Sequence, residues 1–175
     1  MVVRLTDDNL FQCPFILMED AGTAVFSDYE VARLRDYLLK GGFLFVSDYH
    51  GEWAKEQFDE QMGRVLPEYP IVDLTPPDHA MWHTLYPVKE IVQMASIQTW
   101  RRTGGSTIER WNLEGGPPDA RGIQDSDGHL MVVMIHNSDI PDGWEREGED
   151  PDYFYRFSPE SYAVAIDIMM YAMTH

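Results

Sequence analysis

The chain has 175 residues, 44% of them apolar and 13% aromatic, which excludes a disordered protein and gives enough length for one hydrophobic core. Thirteen Lys and Arg stand against 30 Asp and Glu, a formal net charge of −17, so no basic surface for nucleic acid or for an anionic membrane is expected. The one cysteine, Cys13, allows no intrachain disulfide within these residues, and no apolar run reaches the roughly 18 residues of a membrane span.

Residues 2–5 read as a short strand, followed by Thr6 and Asp7, which suit the cap of a helical turn. Pro14-Phe15-Ile16-Leu17-Met18 reads as a second strand, ending in the loop Glu19-Asp20-Ala21-Gly22. Residues 27–40 predict a helix. Ser27 and Glu30 form a capping box, Val31, Leu34 and Leu38 recur at helical spacing, and Gly41 stands where a left-handed C-cap belongs. Gly41-Gly42 opens a strand over residues 43–47, a run of apolar and small residues and so expected to be buried on both faces. Strand, helix and strand in close succession predict a right-handed crossover and a parallel sheet.

A helix follows over residues 52–66, stopped by Pro67 and Pro70, and then a short strand over 71–74. Residues 75–121 are irregular, with Pro76-Pro77-Asp78-His79, Trp82-His83, Gly104-Gly105 and Gly115-Gly116-Pro117-Pro118; such a stretch in a compact domain usually carries function. Within it, residues 87–96 fit a strand or a helical turn. Residues 122–137 read as a hairpin around Asp125-Ser126-Asp127-Gly128, with an apolar, buried second arm. Ser158 and Pro159 are placed to cap and start a final helix. That helix is apolar nearly all round over 162–173, apart from Asp167, and so should be heavily buried.

In α/β proteins the chemistry collects at the carboxyl ends of the strands. Asp48-x-His50 directly follows the central strand, where a carboxylate and an imidazole suit a metal or an acid–base pair; the plainer alternative is that Asp48 caps the next helix. His136-Asn137-Ser138-Asp139 follows the apolar arm of the hairpin in the same way. If the strands are adjacent, Asp48, His50, His136 and Asp139 converge on one crevice. Asp78-His79 with His83 is a third candidate, at a spacing that brings ligands together on a helix but not on the loop that Pro76-Pro77 implies. Cys13 lies at the amino end of its strand, the wrong edge for a nucleophile, and Asp167 reads as a hydrogen-bonded core residue.

The order and number of several motifs resemble one family. They are Leu5-Thr6-Asp7, Pro14-Phe15-Ile16-Leu17-Met18, Ser27-Asp28-x-Glu30, Gly41-Gly42-Phe43-Leu44, Asp48-x-His50-Gly51, Asp78-His79, Gly143-Trp144-Glu145 and Ile166-Asp167-Ile168. Together they resemble the bacterial domain of unknown function 4159 over nearly the whole chain. The resemblance implies one domain over 1–175 with a class I glutamine-amidotransferase-like fold. That fold is a flavodoxin-like three-layer sandwich with a mostly parallel central sheet, here ending in a C-terminal hairpin and a buried C-terminal helix. Active amidotransferases carry a cysteine at the elbow after the central strand; this chain has Ser47-Asp48-Tyr49-His50 there, so that mechanism is not expected. The family usually carries a further strand–helix unit before the segment that begins here. A homodimer or a partner protein is therefore expected along an exposed sheet edge. The family's exported and membrane-anchored members imply a cell-envelope setting as well as a cytoplasmic one.

Two functions follow. The first is a non-catalytic ligand-binding or assembly module, its pocket formed by Glu19, Ser47, Asp48, Tyr49, His50, Asp78, His79 and His136. The second is a metal-assisted hydrolase of a small polar or carbohydrate-like substrate, with Asp48, His50 and either His136 or Asp78-His79 on a divalent metal and Asp139 or Glu19 as base.

Overall fold

The computed structural model describes residues 2–109 and 116–175. Among them are five strands and five α-helices: β1 (Phe15–Met18), α1 (Asp28–Leu39), β2 (Phe43–Val46), α2 (Glu52–Val65), β3 (Ile71–Asp73), α3 (Ile97–Thr103), β4 (Asp119–Gln124), β5 (Leu130–His136), α4 (Asp142–Glu145) and α5 (Pro151–Thr174). Single 3-10 turns occupy Asp8–Gln12, Ala21–Thr23 and Ala80–His83. Gly115 of the Gly-Gly-Pro-Pro segment lies outside the described residues.

The strands form one sheet in the order β1-β2-β5-β4-β3. β1 pairs with β2, and β2 with β5, in parallel; β5–β4 and β4–β3 are antiparallel. The sheet is therefore mixed rather than mostly parallel. The cause is local: the Asp125–Gly128 turn folds β4 back on β5, and β3 then pairs with the far side of β4.

β2 and β5 are buried at every position because helices cover both faces of the sheet. Successive strand side chains point to opposite faces. Leu44, Val46, Val132 and Met134 pack with Leu34 and Leu38 of α1 and Phe58, Met62 and Val65 of α2. Phe43, Phe45, Val133 and Ile135 pack on the other side with Ile97 of α3 and Tyr153, Phe157, Val164 and Ile168 of α5. The capping box of α1 is formed: Ser27 Oγ accepts from Glu30 N at 3.3 Å, and Glu30 Oε2 accepts from Ser27 N at 2.9 Å. Gly42 lies under the Tyr37 ring, where any Cβ would overlap it, and the Tyr37 hydroxyl donates to Phe43 O at 3.2 Å.

Four expectations change. Residues 2–5 join no strand; Val3 and Leu5 pack on the core while Arg4 N donates to Asp7. Residues 87–96 are irregular and lead to α3, capped by Ser96. The strand after α2 ends at Asp73. The last helix starts eight residues before Pro159: Asp150 is its cap, accepting from Asp152 N and Tyr153 N at 3.0 Å each, and Pro151 fills the first position. Pro159 inside α5 leaves the Tyr155 carbonyl without its helical donor, but Tyr155 is exposed to water. The additional turns bury Tyr153 and Phe157, each adding roughly 1.5–3 kcal/mol, which outweighs the lost bond. Asp167 is fully buried, and its Oδ1 accepts from Leu85 N and Tyr86 N at 2.8 and 2.9 Å. Among the described residues no helix is long and apolar enough to cross a membrane.

Candidate functional site

β1, β2 and β5 end side by side, with Met18 opposite Val46 and Val46 opposite Met134. Just beyond each end the chain turns through a residue with a left-handed backbone: Asp20 (φ 51°), Asp48 (φ 56°) and Asn137 (φ 58°). Asp and Asn tolerate this region better than other side chains do. Three such turns on neighbouring strands form one rim, and the rim is acidic.

Asp48 does not cap α2, whose N-cap is Gly51 with no side-chain bond. Its Oδ1 lies 3.2 Å from His50 Nε2, and the His50 side chain is 4% exposed against 30% for Asp48. Asp139 is buried; one carboxylate oxygen accepts from Asp142 N at 3.2 Å, and the other has no partner among the described residues. Asp142 Oδ2 accepts from Ile97 N at 2.8 Å, and its Oδ1 lies 3.6 Å from Arg146 Nε. Ser47 is fully buried and fully used: Oγ donates to Ser138 O at 3.0 Å and accepts from Ile140 N at 3.3 Å.

Burial and neighbouring negative charge raise four of these carboxylates. Glu19 is pushed up to about 7, first by loss of water and then by Glu145, Asp48 and Asp142, with Arg146 opposing. Burial, then Asp48 and Asp142, holds Asp139 well above the usual carboxylate range. Burial also raises Asp142, against the Ile97 N–H and Arg146, and it raises Asp20 together with Asp48. Glu19, Asp20, Asp139 and Asp142 thus each lie within electrostatic reach of Asp48, with Arg146 and His50 as the opposing positive groups.

Beside this rim, His136 occupies a different set of partners. Its Nδ1 is 3.2 Å from Asp119 Oδ2 and its Nε2 donates to Gly51 O at 3.0 Å, so both ring nitrogens meet oxygens. The Tyr49 ring lies 5.1 Å away, and its hydroxyl accepts from Arg121 Nη2 at 3.3 Å. Arg121 also pairs with Asp59 at 2.5 Å and Asp119 at 3.0 Å, and Lys55 reaches Asp119 at 2.8 Å. Burial would raise Asp119; the His136 and Lys55 bonds and the Arg121 charge instead hold it well below the usual range. This network braces the Tyr49–Gly51 turn from behind.

Asp78 and His79 sit elsewhere. His79 Nδ1 accepts from Met81 N at 3.1 Å, and its Nε2 faces Gln124, whose strand partner is Leu130 at the amino end of β5. They therefore lie at the opposite edge of the sheet from Asp48. His83 Nε2 donates to Pro77 O at 2.7 Å. Burial, then His175, lowers His79.

Among the described residues, the set of three potential ligands whose atoms lie within 4.8 Å of one another is Asp125, Asp127 and His129, in the β4–β5 turn. Asp127 and His129 are exposed, and Asp125 Oδ1 already accepts from Asp127 N and His129 N. Asp48, His50 and His136 do not form such a set.

Asp20, Asp142, Asp119 and Arg121 were not singled out by sequence reasoning. The first two had a signal, a second carboxylate within three residues of one already marked. Asp119 and Arg121 had none, since their partners lie on α2 and β5.

Among curated proteins, none matches the chain. A family model matches residues 1–173, and the chain belongs to that family, described as a domain of unknown function (DUF4159).

Proposed function

We propose that residues 1–175 act as one non-catalytic ligand-binding domain on an amidotransferase-like, flavodoxin-like scaffold. Its ligand is an organic cation, a primary amine or guanidinium group, held among Glu19, Asp20, Asp48, Asp139 and Asp142. The supporting observation is Asp139: its side chain is buried, Asp142 N is its one hydrogen-bond donor among the described residues, and burial with the charges of Asp48, Asp142 and Glu19 holds it well above the usual carboxylate range. A buried anion without a counter-charge is costly, and a bound cation removes that cost. An organic cation suits the site better than a bare metal ion, because these carboxylates repel one another without gathering three ligand atoms within 4.8 Å. Several N–H donors on one ligand reach separate carboxylates. Ser47 supplies no nucleophile in this reading, since its hydroxyl is already committed on both sides.

The hydrolase reading draws on one observation, the contact between His50 Nε2 and Asp48 Oδ1, which leaves the other ring nitrogen of His50 without a partner among the described residues. In that reading Asp48 and His50 hold a divalent metal, and Asp139 or Glu19 takes the proton from its water.

Titration calorimetry of the wild type and Asp139→Asn with agmatine, spermidine, Mg²⁺, Mn²⁺ and Zn²⁺ separates these readings. The expected result is amine binding that releases protons near neutral pH, because a cation favours ionised Glu19 and Asp139, with affinity at least about tenfold weaker in Asp139→Asn. Metal binding alone, abolished in His50→Ala, transfers the conclusion to the hydrolase. Binding of none of the five overturns both.

A further inference from the structure

The two edges of the sheet are not alike. β3 is three residues long, follows Pro70 and carries Asp73, so it makes a poor template for pairing. β1 is apolar over all four residues and has no proline, bulge or charge within it. Pro14 O and Met18 O accept from Phe43 N and Ser47 N, which turns the even-numbered residues toward β2. The backbone N–H and C=O groups of Phe15 and Leu17 therefore face outward, with no partner among the described residues. Leu17 is 39% exposed, and Phe15, stacked on Phe43 at 5.5 Å, is only partly covered.

We propose that the outer edge of β1 pairs antiparallel with β1 of a second copy of this chain, about a two-fold axis through Ile16. Phe15 then lies opposite Leu17 of the other copy, and each of these pairs exchanges both of its N–H···O bonds. The same register sets Met18, Glu19 and Asp20 opposite Pro14, Cys13 and Gln12. That end of β1 is open: a cavity of about 250 Å³ is lined by Phe11, Gln12, Cys13, Lys40, Gly41 and Gly42. Lys40 is well exposed there, and among the described residues its ion-pair partner is the exposed Asp36. The acidic end of each β1 thus meets the Lys40 end of the other, twice over. This matters for a chain of net charge −17, which would otherwise repel its own copy. The inference does not depend on the cation reading of the crevice.

Sedimentation velocity over a concentration series tests it, with Leu17→Lys and Glu19→Cys beside the wild type. The expected wild-type species has twice the 20.2 kDa chain mass, and Leu17→Lys weakens its formation by at least about tenfold while keeping the wild-type circular dichroism spectrum. In Glu19→Cys, mild oxidation is expected to give a covalent dimer through Cys13 of the other copy, because facing residues of an antiparallel pair lie about 4.5–5.5 Å apart at Cα, within disulfide range. Cys13 and its own copy stand six residues apart along the ladder, about 20 Å, so the wild type does not cross-link. A monomer throughout the series overturns the proposal, and so does a Leu17→Lys dimer as tight as the wild type. If Leu17→Lys does not fold, the covalent dimer of Glu19→Cys decides, and its absence overturns the proposal.

Discussion

Ser47, the residue that follows β2, gives its hydroxyl to the Ser138 carbonyl at 3.0 Å and takes the Ile140 N–H at 3.3 Å. Ser138 in turn donates to Val92 O at 2.6 Å, and Asp139 N donates to Met94 O at 2.9 Å. The position directly after β2 is thus a joint between β2, the loop after β5 and residues 92–94. Ser47→Ala leaves a buried N–H unpaired and is expected to cost about 1–3 kcal/mol. Urea denaturation checks this as a lower midpoint at unchanged slope. Agmatine affinity of the folded variant should stay within a factor of about two, in contrast to Asp139→Asn.

Glu19 and Asp139 both have folded-state values above those of the unfolded chain. The native state then holds more protons than the unfolded state from the ordinary carboxylate range up to about 7 for Glu19, so stability falls as pH rises through that window. Asp139→Asn keeps the oxygen that accepts from Asp142 N and removes the buried charge. Its melting temperature at about pH 8 is expected to exceed the wild type's by roughly 2–4 °C, the shift that about 1 kcal/mol produces in a chain of this size. The gain should shrink toward pH 5, and calorimetric melts over that range would show it.

Asp119 works in the opposite direction. Its folded value lies below the ordinary one, so its contribution is complete at neutral pH and is lost as pH falls below about 4. Asp119→Asn loses charged bonds to His136, Lys55 and Arg121 and is expected to cost about 1.5–3 kcal/mol at pH 7. Its stability profile below pH 4 should be flatter than the wild type's, the two converging in strong acid. Parallel slopes in that range would contradict the assignment.

Much of this architecture could be read before any coordinates. α1 was legible because its capping box and apolar stripe lie within a few residues of each other, and β2 because an all-apolar run after Gly-Gly suits only a strand covered on both faces. The β4–β5 hairpin announced itself through Asp125 to Gly128. The placing of β4 against β5 follows from that turn, but the return of β3 to the far edge is a long-range choice without a local signature. The start of α5 was misplaced for a similar reason: Ser158-Pro159 is a good local cap, yet burial of Tyr153 and Phe157 against Trp100 and the sheet carries the helix past it. At the crevice, the carboxylates after β1, β2 and β5 were visible singly. Their mutual repulsion depends on which strands are neighbours. The brace of Asp59, Asp119 and Arg121 joins residues about 60 positions apart and left no pattern to find.

Gly143 is where α4 meets α5: a Cβ there would overlap Ser161, whose hydroxyl is bonded to Ile140 O. Gly143→Ala is expected to cost about 1–3 kcal/mol and to displace Asp142, its neighbour, from Ile97 N. Denaturation together with agmatine titration would register both changes; wild-type values in both would show that α4 shifts freely.

The three left-handed turns at Asp20, Asp48 and Asn137 have a further consequence. Aspartate and asparagine are near equivalents as backbone conformers, but they differ by one full charge. A descendant of this chain could therefore exchange acid for amide at any of the three positions and keep the loops in place. The electrostatic depth of the crevice can drift in single-charge steps on an unchanged frame. Members of one lineage could in this way differ in the charge of this rim without rebuilding the fold that presents it.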